Sequence, residues 1–445
     1  GVEIVGDRLG QQALNLAAYH LFVMGSEHND GGIGPRGLTG ETYRGHEFWD
    51  YILYYPGISF QLPQVARSLL SHRYDGLMAA RKAARKNNFQ GAMYPWQSGS
   101  SGREETQQVH LNPESGHWLP DHSSLQRHVN IAIAYNIWQY HEATGDEEFL
   151  AYHGAEMFLE IARFLVSLTT HDEAEDRYDI HGVMGLHEYH EGYKYRDEPG
   201  LDNNTYTNVM TVWVLERAQA LLAHLSKHRR AELCKMLELT DMELAQWDRI
   251  SRRMRVVFHR DGILSQFEGY EDLEEFDWNA YRGRYGDIQR LDRILEAEGD
   301  TPNRYKLSKQ SDVLMLFYLL PEDELRGAFE RLGVTLDDEF KSGWARIPHF
   351  YRTYYVWKYA TSFAAGEASK TLQVETLADS VDEDDERFLY RTDVRPQSEP
   401  LAVRLRTGEP IGVRVTVPEP STVELNVTRY TLHVSECRLP TTSNV

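Results

Sequence analysis

An acidic residue stands among aromatic and imidazole side chains in the run 185–191, which reads Gly-Leu-His-Glu-Tyr-His-Glu. Rings beside a carboxyl group desolvate it and favour its protonated form, which is the form that a general acid needs. Glu188, at the centre of the run, is therefore our candidate for that role. Asn203 and Asn204 precede an apolar run and are favoured helix N-caps, so the start of a helix is predicted close to Glu188.

The same run admits two other interpretations. His187 and His190 are three positions apart, whereas the zinc motif of helical metallopeptidases spaces its two histidines by four. Glycines at positions 185 and 192 also argue against a helix here, so we expect neither a metal site nor a cofactor. A solvated charged loop is the ordinary interpretation of the run taken alone.

An aromatic residue next to a carboxylate recurs at Trp49-Asp50. In sugar-binding sites a ring packs on the pyranose while a carboxylate accepts hydrogen bonds from hydroxyl groups. A buried tryptophan of the hydrophobic core is the plainer interpretation of such a segment. Both interpretations stay open at this point.

The composition excludes several classes of protein. The 445 residues carry a formal net charge of −21, which argues against binding to nucleic acid or to an anionic membrane surface. No apolar stretch approaches the roughly 18 residues of a membrane span, and the first residues do not form a signal peptide. The two cysteines, Cys234 and Cys437, imply no disulfide framework, so a cytoplasmic location is expected.

Helical periodicity dominates the chain as far as about residue 332. Apolar residues recur at helical spacing in the segments 11–24, 125–142, 147–169, 209–225, 229–239, 242–257 and 313–320. We see no alternating strand pattern between these segments, and the long and short connections alternate, which is typical of helical hairpins packed in a ring. The sequence therefore predicts a mainly α domain with functional loops at one end.

Five separated motifs lie in this helical region. They are RGLTGE with RGH and FWD at 36–50, YPWQSG at 94–99, the Glu188 run with Asp-Asn-Asn at 202–204, QFEGY at 266–270, and KQSDVL at 309–314. In this order they resemble glycoside hydrolase family 65, the disaccharide phosphorylases that act on α-glucosides, over roughly residues 3–333. The resemblance implies an (α/α)6 barrel of the six-hairpin glycosidase type, which is incomplete if it stops where the motifs stop.

The resemblance also implies a reaction and a set of site residues. An α-linked glucose disaccharide would be cleaved with inversion by inorganic phosphate, a co-substrate, to give glucose 1-phosphate and glucose, with Glu188 as the general acid. The glucosyl unit would be held by Trp49, Asp50, Trp96, Lys309 and Gln310. The leaving-group subsite would be shaped by His187, Tyr193, Lys194 and Arg196. An inverting α-glucosidase or trehalase of the same fold, and a catalytically impaired carbohydrate-binding domain, stay open as alternatives.

The sequence departs from the family pattern in two places. Leu186 and His187 stand where the family usually has Pro and an acidic or amide residue. Beyond residue 333 we find no counterpart of the segments expected to bind phosphate, so we expect this chain to phosphorolyse disaccharides poorly or not at all. Residues 344–370 instead resemble a helical segment of oligoendopeptidase F-type metallopeptidases, although the sequence has no His-Glu-x-x-His zinc motif.

The sequence divides into four predicted parts. Residues 1–333 form the catalytic helical barrel, and 334–377 form a helical segment that does not match the family. Residues 378–395 are acidic and poor in apolar side chains, which predicts a linker, and 396–445 carry alternating runs that predict a small β-rich tail. The expected partners are a disaccharide and phosphate, and a homodimer is compatible with the sequence.

Overall fold

The computed structural model describes residues 2–28, 31–35, 42–260, 262, 264–309 and 312–320, and short strands between 369 and 434. The helices are α1 (Arg8–Met24), α2 (Tyr51–Gln61), α3 (Pro63–Asp75), α4 (Leu77–Lys86), α5 (His128–Thr144), α6 (Glu147–Phe149), α7 (Ala155–Ser167), α8 (Thr205–His224), α9 (Lys227–Met236), α10 (Asp241–Arg253), α11 (Trp278–Tyr285), α12 (Leu291–Ala297) and α13 (Leu316–Leu319). In this described part of the chain no helix is both long enough and apolar enough to cross a membrane.

Helices α5 and α8 form the centre of the helical region. α5 packs against α2, α3, α7 and α8, and α8 also packs against α10. Both helices are buried on nearly all sides over most of their length. A helix that is buried on all sides carries apolar residues around its whole circumference, which explains the long apolar runs in both segments.

The C-terminal end of α5 and the start of α6 follow sequence signals. Gly145, at φ 64°, ends the helix in the left-handed conformation and donates its N–H to the carbonyl of His141 at 2.8 Å. Asp146 then caps α6, since its Oδ1 accepts from the N–H of Phe149 at 2.9 Å. A π-helical turn at Leu150–Gly154 joins α6 to α7, so the helix predicted at 147–169 is confirmed over residues 147–167, while Thr169 already belongs to β4.

Sequence analysis did not predict the helices α2–α4. α2 contains Pro56 and is buried on nearly every side, so it shows neither a helix-favouring composition nor an amphipathic period. This matters for the site, because α2 begins immediately after Trp49-Asp50.

The strands are short. They are β1 (Val2–Val5), β2 (Val109–Leu111), β3 (Trp118–Pro120), β4 (Thr169–Asp172), β5 (Arg177–Ile180), β6 (Ser369–Leu372), β7 (Glu375–Ala378), β8 (Phe388–Arg391), β9 (Ala402–Arg404), β10 (Pro410–Thr416), β11 (Leu425–Val427) and β12 (Leu432–Val434). All the pairs are antiparallel: β10 pairs with β1, β6 and β9, and the others form the hairpins β2–β3, β4–β5, β7–β8 and β11–β12. In the register of the β1–β10 pair, Val2 of β1 lies opposite Val415 of β10.

Several strands differ from the sequence prediction. Hairpins β2–β3 and β4–β5 interrupt the region in which we expected no strands, because runs of three or four residues are too short to show alternation. β6 and β7 lie at the end of the segment 334–377 predicted to be helical, and β8 lies in the predicted linker 378–395. β9, β10 and β11 coincide with the alternating runs of the predicted β tail.

Candidate active site

The loop that carries Glu188 leads to the start of α8. Asn204 is the N-cap of α8: its Oδ1 accepts from the N–H of Thr207 at 2.9 Å and from the hydroxyl of Thr207 at 2.7 Å. Asn203 before it has a left-handed φ of 49°, which asparagine tolerates better than most residues. The predicted helix start after the Glu188 run is therefore confirmed.

A buried carboxyl group, Asp312, holds this loop. Its Oδ2 accepts from the N–H of Leu186 at 3.1 Å and from Nδ2 of Asn204 at 2.7 Å. Burial raises the pKa of Asp312 to about 7, although the hydrogen bonds from Asn204 and from the loop backbone oppose the shift. A Cβ at position 185 would lie 2.1 Å from the same oxygen, so Gly185 is required for this contact.

The carboxylate of Glu188 has two polar partners among the described residues. Lys309 Nζ forms an ion pair with Oε2, and Gln126 Nε2 donates to Oε1 at 3.4 Å. The side chains of Glu188 and Lys309 are 31% and 36% exposed, so both are accessible to a small molecule. The structure thus brings together two predicted site residues that are 121 positions apart, whereas Gln310 lies outside the described residues.

The two histidines of the run are buried instead of lining a leaving-group subsite. His190 Nε2 donates to the carbonyl of Tyr305 at 2.9 Å, so its Nδ1 accepts from His187 Nε2 at 3.2 Å. Burial lowers the pKa of His190 to about 4 and that of His187 well below its usual value, so both rings are neutral at neutral pH. His187 is fully buried, which places it out of reach of a leaving group.

The neighbouring loop 192–200 uses its polar side chains mainly to hold itself together. The Tyr193 hydroxyl donates to the carbonyl of Glu268 at 2.8 Å and accepts from the N–H of Asp202 at 2.9 Å. Arg196 pairs with the carboxylate of Asp202 at 2.8 Å. Lys194 is exposed, so it is the predicted leaving-group residue with the freest access to a ligand.

Trp49 and Trp96 both contact His128, the first residue of α5. The ring centroid of His128 lies 5.1 Å from that of Trp49 and 5.0 Å from that of Trp96, and both contacts are edge to face. Two positions before His128, Gln126 contacts Glu188. The start of α5 therefore connects the two predicted tryptophans with the candidate acid.

A buried ion-pair network supports the segment Trp49-Asp50. One oxygen of Glu47 lies 2.6 Å from His72 Nε2 and the other lies 3.1 Å from Arg73 Nη2, and only 3% of the Glu47 side chain is exposed. Arg73 also donates to the carbonyl of Phe48 at 3.2 Å. Burial alone would raise the pKa of Glu47, but the charge of Arg73 and the contact with His72 outweigh it and lower the pKa.

A second carboxyl group of the loop, Glu191, lies in an acidic environment. Burial, together with the charges of Asp121, Asp292 and Glu188, raises the pKa of Glu191 to about 7. Glu191 is therefore partly protonated near neutral pH. The structure thus places next to the candidate acid a titrating group that sequence analysis did not single out.

One group of side chains among the described residues has the chemistry and spacing of metal ligands. His141, Glu147 and His224 place their ligand atoms within 4.8 Å of one another. They lie at the C-terminal ends of α5 and α8 and at the start of α6, whereas Glu188 lies near the N-terminal ends of α5 and α8. This cluster is therefore separate from the candidate active site.

The family model described as "Glycosyl hydrolase family 65 central catalytic domain" matches residues 15–363. The chain belongs to glycosyl hydrolase family 65. The match runs past residue 333, where we placed the end of the barrel, and includes residues 344–363. The resemblance of this segment to metallopeptidases finds no support, and the segment itself lies outside the described residues.

Relatives of this family 65 chain include phosphorylases. An uncharacterized glycosyl hydrolase of Mycobacterium tuberculosis is 52% identical over 75% of this chain and 25% of its own length. Trehalose 6-phosphate phosphorylase of Lactococcus lactis is 39% identical over 70% of this chain and 39% of its own length. Kojibiose phosphorylase of Halothermothrix orenii is 36% identical over 72% of this chain and 41% of its own length. The chain therefore spans between a quarter and about two fifths of the length of these curated relatives.

A solved structure has the same fold. It is a putative kojibiose phosphorylase from the human microbiome, with a TM-score of 0.63 and 22% sequence identity, covering 82% of this family 65 chain and 48% of its own. The mainly helical fold predicted from the sequence, the (α/α)6 barrel, is confirmed.

Sequence reasoning missed four residues that the structure places at this candidate site: Gln126, His128, Glu191 and Asp312. Gln126 and His128 stand as polar residues at the start of a helix that is otherwise largely apolar, which is a usable signal. Asp312 lies in the quoted KQSDVL motif, immediately before an apolar run, and a carboxyl that is buried needs a hydrogen-bond partner.

Proposed function

We propose that this chain cleaves α-linked glucose disaccharides by phosphorolysis, with inversion at the anomeric carbon and release of glucose 1-phosphate. The contact between Glu188 and Lys309 carries the proposal, because it unites the candidate acid with a cation of a separate motif at a surface open to ligands. Membership of family 65 supports the reaction class. The relatives named as trehalose 6-phosphate phosphorylase and kojibiose phosphorylase support the substrate class.

In the proposed mechanism Glu188 donates a proton to the glycosidic oxygen, so that the second sugar leaves as a neutral alcohol. Inorganic phosphate attacks the anomeric carbon from the opposite face, and its new C–O bond forms as the glycosidic C–O bond breaks. The α linkage therefore gives β-glucose 1-phosphate. Phosphate is already an anion, so the reaction needs no second carboxylate to activate water.

Lys309 has a second task in this mechanism. Its ammonium group is a hydrogen-bond donor with three N–H bonds, which suits sugar hydroxyls as well as a carboxylate. When the glucosyl unit enters, Lys309 exchanges part of its contact with Glu188 for hydroxyl groups. Without the ammonium group beside it, the Glu188 carboxylate takes up a proton from water and then faces the glycosidic oxygen as the acid.

Trp49, which is half-buried, is the candidate apolar wall for the glucosyl unit, whereas Trp96 is only 5% exposed and packs in the hydrophobic core. Burial lowers the pKa of His128 to about 3, so the ring between Trp49 and Trp96 is uncharged at neutral pH. The C–H faces of a pyranose pack on such rings. Asp50, next to Trp49, is half-buried and is the candidate acceptor for sugar hydroxyls.

We find no counterpart of the family's phosphate-binding segments in the sequence beyond residue 333, and residues 321–368 lie outside the described part of the chain. The missing sequence segments predict a low rate. The proposal is therefore tested by the dependence on phosphate instead of by the absolute rate. Independence from metals and cofactors, homodimer formation, and a cytoplasmic location without nucleic-acid or membrane partners also stay predictions.

The test is to incubate the purified chain with trehalose, maltose, kojibiose and trehalose 6-phosphate, each with and without inorganic phosphate. We expect glucose 1-phosphate in the β configuration, seen by NMR, with at least one of these sugars and only when phosphate is present. Equal release of glucose without phosphate would contradict phosphorolysis and indicate hydrolysis. Sugar binding by calorimetry without any turnover would indicate a carbohydrate-binding domain.

A further inference from the structure

Asp312 takes no part in the proton transfer proposed above, yet it contacts both elements that place the acid. It is 1% exposed, and one of its oxygens accepts from the N–H of Leu186 and from the side-chain amide of Asn204. Leu186 belongs to the loop of Glu188, and Asn204 is the N-cap of α8. A single carboxyl oxygen therefore joins the loop to the central helix.

The segment that supplies Asp312 also supplies Lys309, three positions earlier. Lys309 contacts the carboxylate of Glu188, while Asp312 contacts the backbone two residues before Glu188. The acid is thus held at its tip and near its base by residues of the same motif. Because only His187 separates Leu186 from Glu188, fixing the N–H of Leu186 limits where the Glu188 side chain can reach.

The fit around this oxygen is tight. An added Cβ at Gly185 would lie 2.1 Å from Oδ2 of Asp312 and 2.5 Å from Nδ2 of Asn204. The other oxygen of Asp312 has no hydrogen-bond partner among the described residues. The hydrogen bonds seen for this carboxyl group therefore go only to the loop and to the N-cap.

A role limited to capping α8 does not explain this arrangement. Asn204 caps α8 with its Oδ1, through Thr207, while Asp312 takes the opposite end of the same amide group. The cap bonds of α8 do not involve Asp312 directly. What Asp312 adds is the connection from the cap to Leu186.

We propose that Asp312 is a positioning residue for the general acid: it fixes the backbone at Leu186 so that Glu188 faces the glycosidic oxygen. The inference rests on the proposed function, because it concerns the protonation step. A misplacement of about 1 Å can cost roughly 10²-fold in rate. We therefore expect Asp312→Ala to lower kcat on a disaccharide by about that factor, with KM changed much less.

Three variants separate position from charge. Asp312→Asn keeps an oxygen that can accept from Leu186 and Asn204, so it should restore most of the activity that Asp312→Ala loses. Gly185→Ala displaces Asp312 without removing it and should resemble Asp312→Ala. Asp146→Ala is the matched control, because Asp146 also accepts a backbone N–H but lies at the other end of α5. The inference is overturned if Asp312→Asn is as impaired as Asp312→Ala.

The choice of substrate isolates the protonation step. The fluoride of α-glucosyl fluoride leaves with little help from an acid, so Asp312→Ala should lose at least tenfold less activity on it than on a disaccharide. Asp146→Ala should lose equally on both substrates. Equal losses for Asp312→Ala would mean that Asp312 has only a general structural role.

Glu188→Gln, measured in parallel, distinguishes the inference from the proposed function. If Glu188→Gln shows no selective loss on the disaccharide, the proposed function is wrong. If it does, and Asp312→Ala does not, only the positioning inference is wrong. Amide hydrogen exchange at Leu186 gives a readout without turnover: exchange should accelerate in Asp312→Ala and Gly185→Ala but not in Asp312→Asn, and unchanged exchange in the first two overturns the inference.

Discussion

The two ends of the central helix α8 differ in the burial of their polar side chains. At its start Asn204, Thr205, Thr207 and Asn208 are all buried. At its last residue His224 is nearly half exposed and pairs with Glu147, which is itself 62% exposed, at 2.9 Å. The first end lies beside the loop of Glu188, and the second carries no part of the candidate active site.

The difference between the two ends indicates that the active-site end contains more groups whose burial lowers the stability of the fold. A polar group taken out of water destabilises the protein unless it is hydrogen-bonded, whereas an exposed ion pair costs and contributes little. Near Glu188 several buried atoms have no hydrogen-bond partner among the described residues, including Gln126 Oε1, His187 Nδ1 and Thr205 Oγ1. Such atoms also occur away from the site, for example His141 Nδ1 and Trp247 Nε1, so the first end of α8 is set apart by its buried polar residues and the hydrogen bonds between them.

The largest expected effect is the loss of the acid itself. Glu188→Gln keeps the shape of the side chain but removes the transferable proton, so turnover of a disaccharide should fall roughly 10²–10⁴-fold. Binding of glucose, measured by calorimetry, should change little. Glu198→Gln is the matched control, because Glu198 is an exposed carboxylate of the neighbouring loop. Unchanged turnover in Glu188→Gln would contradict the assignment of the general acid.

The next effect concerns stability at the end of the molecule that carries the site. Glu47→Gln leaves the charge of Arg73 buried without its partner, which typically costs about 3–5 kcal/mol of unfolding free energy. Urea denaturation followed by circular dichroism measures this loss. A cost below about 1 kcal/mol would show that the network around Trp49-Asp50 is not the buried ion pair described above.

The Glu47 prediction also has a pH signature. Because its pKa is lowered on folding, Glu47 contributes stability above its ordinary pKa of 4.5, and this contribution is lost as the pH falls through the lowered pKa. The wild-type chain should therefore lose more stability on acidification below pH 4.5 than Glu47→Gln does.

The raised pKa of Glu191 predicts that its contribution to stability changes with pH in the opposite direction to that of Glu47. Its pKa rises from 4.5 to about 7 on folding, so between these values the folded chain binds more protons than the unfolded chain. Stability should then fall as the pH rises from 5 to 8, and Glu191→Gln should reduce that fall by roughly 1–3 kcal/mol, since one pKa unit corresponds to ~1.4 kcal/mol. The same fall in both proteins would contradict the pKa assigned to Glu191.

The sequence predicted the elements of this molecule better than their contacts. Helix starts depend on local chemistry, and the start predicted at Asn203 and Asn204 was found. The buried helix α2 was missed because its apolar residues face all directions. The family resemblance assigned His187 to the leaving-group subsite, but a neutral imidazole packs well in a core, and only the tertiary structure shows that His187 is buried.

Contacts between distant segments explain the rest of what was missed. The pairing of Glu188 with Lys309 was foreseen only through the family resemblance, because nothing in the local sequence relates positions so far apart. The acidic environment of Glu191 depends on Asp121 and Asp292, which belong to other segments of the chain. Such shifts follow from burial and charge in three dimensions, and no local pattern encodes them.

The smallest expected effect belongs to the exposed end of α8. Glu147→Gln makes the same chemical change as Glu47→Gln, but Glu147 is 62% exposed and its partner His224 is 46% exposed. Water replaces the lost contact, so the unfolding free energy should fall by less than about 1 kcal/mol, and raising the salt concentration should shrink the difference further. Equal losses in the two variants, measured by urea denaturation in the same buffer, would contradict the contrast between the two ends. A large loss at Glu147 that disappears when the chain is treated with a chelator would instead indicate that His141, Glu147 and His224 hold a metal ion.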